Sequence, residues 1–513
     1  MTSSAKTRSA LAGMVVAGAA ATGVFACAAL GSAPAANASC ASFFGLGNSA
    51  SCSSTPLSVA IAIGNGATAH ASGLFGAAFA TGTNASATTG DAFTLATALG
   101  DGSSATANGL FGIATQLGPN GSATTQGTGS LLNAGFNIAL NVTPFAPGPN
   151  SSSVTAGGTG GGGNIALNLF GTGTSGNAGS MRVVANGLFD IATNVGGSNN
   201  IVESGSTSAG SVLNLATNLF GRNTAVTAQG GIWNWATNIL GNFNTVSTNG
   251  SLVNTASNIL GSNNTVVTAG GYLNFVRNIF GDGNTVGITG GYQNAARNLF
   301  GSNNSVGIVG GYGNTAQNWF GTANVVGITS GYYNSASNLL GGTGNHLISD
   351  GGYVNSVRNI IGSNNTLTVG GFGSNWNTAD NLLSSDNNLT AGGVGSNLNA
   401  ALNAGGGGNT IKSGEAGGNL NLGFNILGST NNVTAGPGPL TLAGTVLANG
   451  QTVTKTNPGI AINNFRAGGA AATNAPSSPA SAVKASASGT KAGSSAKTTA
   501  KKAGTAGSNR PKN

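Results

Sequence analysis

The residues that could do acid–base or metal chemistry are few and scattered along the chain. Nine acidic residues and two histidines occur in 513 residues. Glycoside hydrolysis requires a pair of carboxyl groups held close together, and only Asp380 and Asp386 are near each other in sequence. No cluster of acids surrounds His70 or His346. These residues therefore predict structural or solvent-facing roles, and we expect neither enzymatic activity nor a cofactor or metal ion.

Two cysteines that lie close together in the sequence are the residues whose chemistry can be predicted directly. Cys40 and Cys52 follow an apolar leader that also contains Cys27. In an exported chain, a close pair of cysteines predicts a disulfide. The bond would close a small loop, and we interpret it as a staple at the start of the repeat region.

Basic residues are concentrated at the C-terminus, where no acid accompanies them. The segment is rich in Ala, Ser, Thr, Gly, Pro and Lys, and its last aromatic residue is Phe465. Such a composition cannot bury a core, so it predicts disorder. Spread positive charge suits a diffuse polyanion. The alternative is a solubilising tail or spacer. The candidate polyanion-binding residues are Lys484, Lys491, Lys497, Lys501, Lys502, Arg510 and Lys512.

The first 38 residues have the three parts of a secretory signal. Lys6 and Arg8 precede an Ala-, Gly- and Val-rich stretch, and Ala36-Asn37-Ala38 provides a cleavage site before Ser39. Cleavage is the preferred interpretation, and it would leave no transmembrane segment. The apolar stretch is also long enough to remain as an uncleaved membrane anchor. The predicted location is therefore outside the cell or on its surface.

The region between the leader and the tail is built from a repeat of 20 residues, which must position the side chains described above. From Gly231 the chain reads G-Y-x-N-x-A-x-N-[IL]-[FL]-G-x-x-N-T-V-x-I-x-G over successive lines. Apolar and polar residues alternate within each half of a line, which indicates strands, and glycines separate the halves as turns. We therefore predict an all-β fold, a single long β-solenoid with two short strands in each coil of about 20 residues, followed by a disordered tail.

Stacked coils would place equivalent residues of successive lines directly above one another. Inward amides carry a burial cost unless their neighbours satisfy them, so recurrent asparagines predict hydrogen-bonded ladders along the axis. The first predicted ladder is Asn234, Asn254, Asn274, Asn294 and Asn314, and the second is Asn244, Asn264, Asn284, Asn304 and Asn324. A third contains Asn238, Asn258, Asn278, Asn298 and Asn318.

The repeat changes texture along the chain, from Ala-rich to Asn-rich, and one continuous solenoid with a narrower first part is preferred over two domains. Loops are expected near 144–163 and 405–418. The predicted organisation is a signal peptide (1–38), a disulfide segment (39–56), Ala-rich coils (57–128), Asn/Gly-rich coils (129–450), an exit segment (451–466) and a basic tail (467–513).

Two further rows recur at fixed positions of the repeat. Arg277, Arg297 and Arg358 share a slot that alternation places outward, and we interpret it as a solvated face in preference to a grip on an acidic glycan. A row of tyrosines begins at Tyr272 and recurs through Tyr353. Tyrosine ladders can stack on sugars, but the parity of the alternation points these rings toward the core, so packing is expected.

Several parts of the chain resemble known families. The lines GRNTAVTAQGGIWN and GSNNTVVTAGGYLN resemble Gly/Asn-rich repeats of secreted proteins from mycobacteria and related actinobacteria. Residues 57–127, with SVAIAIGNGATAHASG, resemble the heads of trimeric autotransporter adhesins, which implies a β-roll that binds host matrix. The G-x-x-N-x-V pattern is similar to curlin fibre subunits, which implies self-assembly.

Three functions follow as hypotheses. The first is a secreted or cell-surface structural protein, adhesin-like, whose rod is a spacer or binding face. Its tail would bind an anionic glycan, an envelope polymer or host matrix, and nucleic acid only through non-specific contacts. The second is a self-assembling, curli-like fibre subunit, because open solenoid ends expose strand edges. The third, a solenoid carbohydrate-active enzyme, lacks the grouped acids that it needs.

Overall fold

The computed structural model describes residues 39–127, 135–144, 151–158, 161–173, 180–206, 210–415 and 417–468. Every regular element in these residues is a strand. They form a β-solenoid of about 19 turns, which confirms the predicted fold class. The predicted signal peptide (1–38) and, from residue 469, the predicted basic tail lie outside the described residues.

The strands form two sheets, and each coil contributes one strand to each sheet. Sheet A has 22 strands: β1 (Ser39–Phe43), β3 (Val59–Ile63), β5 (Ala77–Thr81), β7 (Leu95–Leu99), β9 (Ile113–Leu117), β11 (Ile138–Val142), β13 (Ile165–Leu169), β15 (Ile191–Val195), β17 (Leu215–Leu219), β19 (Trp235–Ile239), β21 (Thr255–Ile259), β23 (Phe275–Asn278), β25 (Ala295–Asn298), β27 (Thr315–Asn318), β29 (Ser335–Gly341), β31 (Ser356–Gly362), β33 (Thr378–Leu382), β35 (Ala400–Ala404), β37 (Leu422–Ile426), β39 (Thr441–Val446), β41 (Gly459–Ile462) and β42 (Phe465–Ala467).

Sheet B lies on the other side of the core and contains the strands between those of sheet A. Its strands are β2 (Cys52–Ser54), β4 (Thr68–Ala71), β6 (Ser86–Thr89), β8 (Ser104–Ala107), β10 (Ser122–Thr125), β12 (Ser153–Ala156), β14 (Arg182–Ala185), β16 (Ile201–Ser204), β18 (Ala225–Gln229), β20 (Thr245–Asn249), β22 (Thr265–Ala269), β24 (Thr285–Thr289), β26 (Ser305–Val309), β28 (Val325–Ile328), β30 (His346–Asp350), β32 (Thr366–Gly370), β34 (Asn388–Ala391), β36 (Thr410–Ser413), β38 (Asn432–Ala435) and β40 (Thr452–Lys455).

Successive coils pair in parallel and in register, so equivalent residues stack. Val286 of β24, for example, pairs with Val266 below it and Val306 above it. Sheet A contributes mostly alanine to the core and sheet B mostly valine, as with Ala256 and Val266, which are fully buried. Small side chains on one sheet let the two sheets approach closely, and the core is correspondingly thin.

Coil length varies along the solenoid without interrupting either sheet. The step between stacked residues is 18 at Thr68 and Ser86, 27 at Asn141 and Asn168, 20 at Asn278 and Asn298, and 22 at Asn359 and Asn381. Both sheets run across the boundary predicted near residue 128, where β9 pairs with β11 and β10 with β12. The Ala-rich and Asn-rich parts therefore belong to one stack.

The expectation of loops near 144–163 and 405–418 was wrong where these ranges contain strands β12 and β36, which keep the stacked register. Residues 145–150, 159–160 and 416 of these ranges lie outside the described residues. The exit segment at 451–466 contains β40 and β41, which add a further coil in parallel. Extra residues are accommodated at the corners between strands, so a longer coil still presents the same ladder positions.

Each end of sheet A is covered by a strand that runs the other way. Strand β1 pairs antiparallel with β3, and β42 pairs antiparallel with β41. The Cys40 and Cys52 sulfurs are bonded at 2.01 Å and link β1 of sheet A to β2 of sheet B. This is the pairing expected from the sequence, and it joins the first strands of the two sheets.

Candidate functional site

The third asparagine row is an unbroken chain of buried amides through most of the solenoid. Each side-chain Nδ2 donates to the Oδ1 of the asparagine one coil earlier, over 2.7–2.9 Å. The members are Asn141, Asn168, Asn194, Asn218, Asn238, Asn258, Asn278, Asn298, Asn318, Asn338, Asn359, Asn381, Asn403 and Asn425. Stacked amides were predicted here, and the structure confirms them.

The first and second rows are also stacked, but many of their bonds join side chain to backbone, alongside side-chain bonds such as that from Asn254 Nδ2 to Asn234 Oδ1 over 3.1 Å. The backbone N–H of Asn284 donates to Asn264 Oδ1 over 2.8 Å, and Asn284 Nδ2 donates to the Gly301 carbonyl over 2.9 Å. Asn294 bonds in the same way to Asn274 Oδ1 and the Gly311 carbonyl, both over 3.1 Å. These amides satisfy corner backbone groups that the sheets leave unpaired. Direct bonds from amide to amide run without a break through the coils from Asn141 to Asn425 only in the third row.

One member of the first row is an acid. Asp190 takes the place of an asparagine, is fully buried, and accepts the Asn214 N–H over 2.6 Å and the Ser211 hydroxyl over 3.0 Å. Burial raises the pKa of its carboxyl from about 3.8 to about 6, although these hydrogen bonds act in the opposite direction. The composition did not single out this acid, since only its alignment with the ladder reveals that it is buried.

The tyrosine row faces solvent, so the expectation that it packs into the core was wrong. Tyr272 is 46% exposed and Tyr332 is 56% exposed. The row lies at the corner before sheet A, where the next residue takes a left-handed conformation, with φ of 56° at Leu273 and 54° at Tyr333. The chain turns there, and the alternation of the following strand therefore does not extend back to the tyrosines.

Exposed aromatic rings stack along this corner and along the corner after sheet A. Ring centroids lie 5.2 Å apart at Tyr292 and Tyr312. Phe280, Phe300 and Phe320 stack on the opposite side of sheet A at 5.1 and 4.9 Å. A third stack at the first corner, at 4.7–5.2 Å, contains Phe75, Phe93, Phe111 and Phe136. The sequence shows these rows, but only the fold places them outside.

The outer faces of the two sheets differ in chemistry. Sheet A presents apolar rows over many coils, whereas sheet B presents hydroxyls. Outward residues of sheet A include Ile138, Leu140, Val142, Ile165, Leu167, Leu169, Ile191, Val195, Leu215 and Leu219. Outward residues of sheet B include Ser86, Thr88, Ser104, Thr106, Ser122, Thr124, Ser153 and Thr155. The apolar stretch of sheet A (β11–β17) and the hydroxyl stretch of sheet B (β6–β12) meet in the coil of β11 and β12. Farther along, sheet A also presents polar residues such as Arg277 and Gln317.

The arginine row does not form a continuous basic strip. Arg297 lies over the Phe275 ring at 5.3 Å, and Arg358 pairs with Asp380 at 2.9 Å. Asp386, near Asp380 in sequence, instead accepts the Asn364 amide over 3.1 Å. These contacts engage Arg297 and Arg358 locally, whereas Arg277 Nε is buried without a hydrogen-bond partner among the described residues.

The histidines and the remaining acids are likewise dispersed. His70 Nδ1 lies 2.8 Å from the Ser53 hydroxyl, and His346 stands at the start of β30. Among the described residues no three of His, Cys, Asp and Glu are grouped as a metal site would require. No helix in that part of the chain is long and apolar enough to cross a membrane.

The seven basic candidates from Lys484 to Lys512 lie outside the described residues, so their prediction stands untested. No family model, curated protein or solved structure matches this chain.

Proposed function

We propose that this chain is an exported structural protein, adhesin-like, whose solenoid is a rigid rod presented at the cell surface. The observation that supports this most directly is the unbroken amide ladder from Asn141 to Asn425. From Asn141 to Asn425, each coil is joined to the next by two backbone ladders and by this buried chain of amides. At a strand spacing of about 4.8 Å, about 19 such turns extend roughly 90 Å. That length suits a spacer or a long binding face.

The charge distribution supports an electrostatic anchor in the tail. Residues 39–468 contain all nine acids and eight of the basic residues, whereas residues 469–513 contain seven basic residues and no acid. Attraction to an anionic glycan, envelope polymer or host matrix would therefore act mainly through the tail, and nucleic acid would be held only non-specifically. The solenoid would remain available for other contacts.

A neutralised tail tests the anchor. All seven basic residues, Lys484, Lys491, Lys497, Lys501, Lys502, Arg510 and Lys512, are replaced by Gln in the full chain. A second variant shuffles the order of residues 469–513 and retains their composition. We expect the native and shuffled chains to fractionate with the cell envelope at low salt and to dissociate at high salt, and the neutral variant to be released. Equal retention of all three would overturn the anchor.

Lateral self-association is a second candidate, favoured by the apolar outer face of sheet A. Strands β1 and β42 run antiparallel at its two ends, whereas its outward Leu215 and Trp235 are accessible. Two sheets packed face to face bury such a face efficiently. Side-by-side assembly is therefore favoured over end-to-end stacking of coils.

Sedimentation velocity of the full chain tests this candidate. Leu215→Lys with Trp235→Lys introduces charge on sheet A, and Thr227→Lys with Ser247→Lys is the matched pair on the outer face of sheet B. We expect concentration-dependent association that the sheet A pair abolishes and the sheet B pair retains. A native chain that stays monomeric at high concentration would remove the candidate.

A further inference from the structure

The tyrosine row ends at a step in the solenoid. Tyr353 pairs at the corner with Asn375 of the next coil, 22 residues later, whereas Tyr332 and Tyr353 are 21 apart. Relative to the preceding corner, Phe372 and Gly373 are two extra residues. They form a tight turn in which the Ser374 N–H donates to the Gly371 carbonyl over 3.1 Å. The turn holds Phe372 away from the sheet, with 86% of its surface exposed.

A cleft lies between this turn and the end of the tyrosine row. Its volume is about 570 Å³, and its lining includes Tyr332, Tyr353, Phe372, Asp350, Asn375 and corner glycines. The Asp350 carboxylate is exposed and already accepts the Thr329 hydroxyl. The Asn375 Nδ2 donates to Asn397 Oδ1 over 2.9 Å, and this bond fixes the orientation of the Asn375 side chain and therefore the position of its Oδ1. Aromatic rings and polar groups thus converge on one opening.

The rings around the cleft are braced against each other. Tyr333 meets Tyr312 and Tyr353 edge-on, with centroids 5.3 and 5.9 Å apart. Tyr332 lies 6.0 Å from Tyr353 and 6.5 Å from Tyr312. Rings held in place in this way lose little freedom when a ligand stacks on them. The row from Tyr272 to Tyr353 then extends about 19 Å along the axis, with one tyrosine in each coil at a strand spacing of about 4.8 Å.

We propose that this cleft, together with the tyrosine row that leads to it, binds a linear neutral polysaccharide. The faces of pyranose rings are apolar and suit exposed aromatic faces, while their hydroxyls donate to carboxylate and amide oxygens. One tyrosine in each coil offers a repeating platform to a repeating chain. Asp350 supplies the formal charge among the lining residues, and it would repel an anionic polymer, so the ligand differs from that proposed for the tail.

Titration calorimetry of the full chain with three neutral pentasaccharides, cellopentaose, mannopentaose and chitopentaose, tests the proposal. We expect at least one to bind saturably. Phe372→Ala and Tyr332→Ala should each weaken binding about tenfold, the effect of losing one stacked ring worth about 1.4 kcal/mol. Asp350→Asn should weaken it by a smaller factor. Phe280→Ala is the matched control, since this ring is 40% exposed on the other side of sheet A, and it should bind as the native chain does.

Four outcomes would overturn the proposal. If none of the three sugars saturates at millimolar concentration, or if Phe372→Ala binds as tightly as Phe280→Ala, the cleft is not a saccharide site. If the Phe372 and Tyr332 variants instead alter sedimentation, the cleft is a contact between chains. The neutral-tail variant should retain sugar binding, because this inference does not depend on the tail. Loss of binding in that variant alone would place the sugar on the tail and overturn the proposal.

Discussion

The Ala-rich coils and the Asn-rich coils share the same two sheets but fill the core between them by different means. In the first coils the second inward row of sheet A consists of Ala62, Ala80 and Ala98. In the same row, Gln116 follows Ala98 and Asn141 follows Gln116, and from there the amide chain begins. One backbone stack thus accepts either small apolar side chains or a continuous line of amides.

The two solutions place different demands on neighbouring coils. An alanine row requires only that each side chain be small, because its contacts are non-directional. An amide row requires a donor and an acceptor in both adjacent coils, so each asparagine depends on the coil before it and the coil after it. Loss of an amide should therefore lower the free energy of unfolding more than loss of a methyl group does. Enlargement of a side chain should lower it more in a row where alanines already touch.

The largest expected effect comes from breaking the amide chain. Asn298 donates to Asn278 over 2.8 Å and accepts from Asn318 over 2.8 Å. Asn298→Leu leaves a buried acceptor and a buried donor unpaired, which should cost about 4 kcal/mol of unfolding free energy. Urea denaturation measures this, with Thr315→Ala on the outer face of β27 as the control. A loss below about 1 kcal/mol would mean that the ladder contributes little.

The next effect concerns the acid within the amide rows. The pKa of Asp190 is raised to about 6, so the fold favours its protonated form. Its stabilising contribution is complete below about pH 3.8 and is lost as pH rises through about 6, at a cost approaching 3 kcal/mol above that range. Asp190→Asn should remove this pH dependence and be the more stable chain at pH 8. If the native chain and the Asp190→Asn variant lose or gain stability equally from pH 4 to 8, the raised pKa is not that of Asp190.

Replacement of one buried alanine by valine should lower the free energy of unfolding by different amounts in the two regions, and this difference should be smaller than the effects above. Ala96 stacks between Ala78 and Ala114, whereas Ala256 is followed in its row by Val276. Ala96→Val should cost about 2 kcal/mol through overpacking, and Ala256→Val less than half as much, because its row already accommodates a valine. Thermal or urea unfolding of the two variants gives the comparison. Equal losses would show that coil width does not distinguish the regions.

The smallest global effect is expected from the disulfide. Replacement of Cys40 and Cys52 by Ser should loosen the first coils and leave the amide ladder unaffected, since solenoid stability is carried by contacts between adjacent coils. Hydrogen exchange should accelerate in residues 39–80 and stay unchanged in residues 230–340. Faster exchange throughout the Asn-rich coils would show that the staple controls the whole stack.

The periodicity of the sequence was sufficient for the fold class and for the stacked asparagines. It failed at the corners, where residues such as Leu273 adopt a left-handed conformation and the alternation of one strand no longer predicts the direction of the preceding side chains. Tyr272 was therefore assigned to the core although it lies outside. The strands β12 and β36 were missed for a related reason, since extra glycines at corners conceal strands that still keep the register.

By itself the sequence determined the repeat, its two strands in each coil and the amide rows, because identical residues at a constant spacing must stack when coils pair in parallel. Only the tertiary structure decided which rows face solvent, how β1 and β42 cover the ends, and where the cleft beside Phe372 opens. These features depend on the path of the chain through its corners. There a change of one or two residues, or one backbone dihedral angle, redirects side chains without altering the periodicity of the strands.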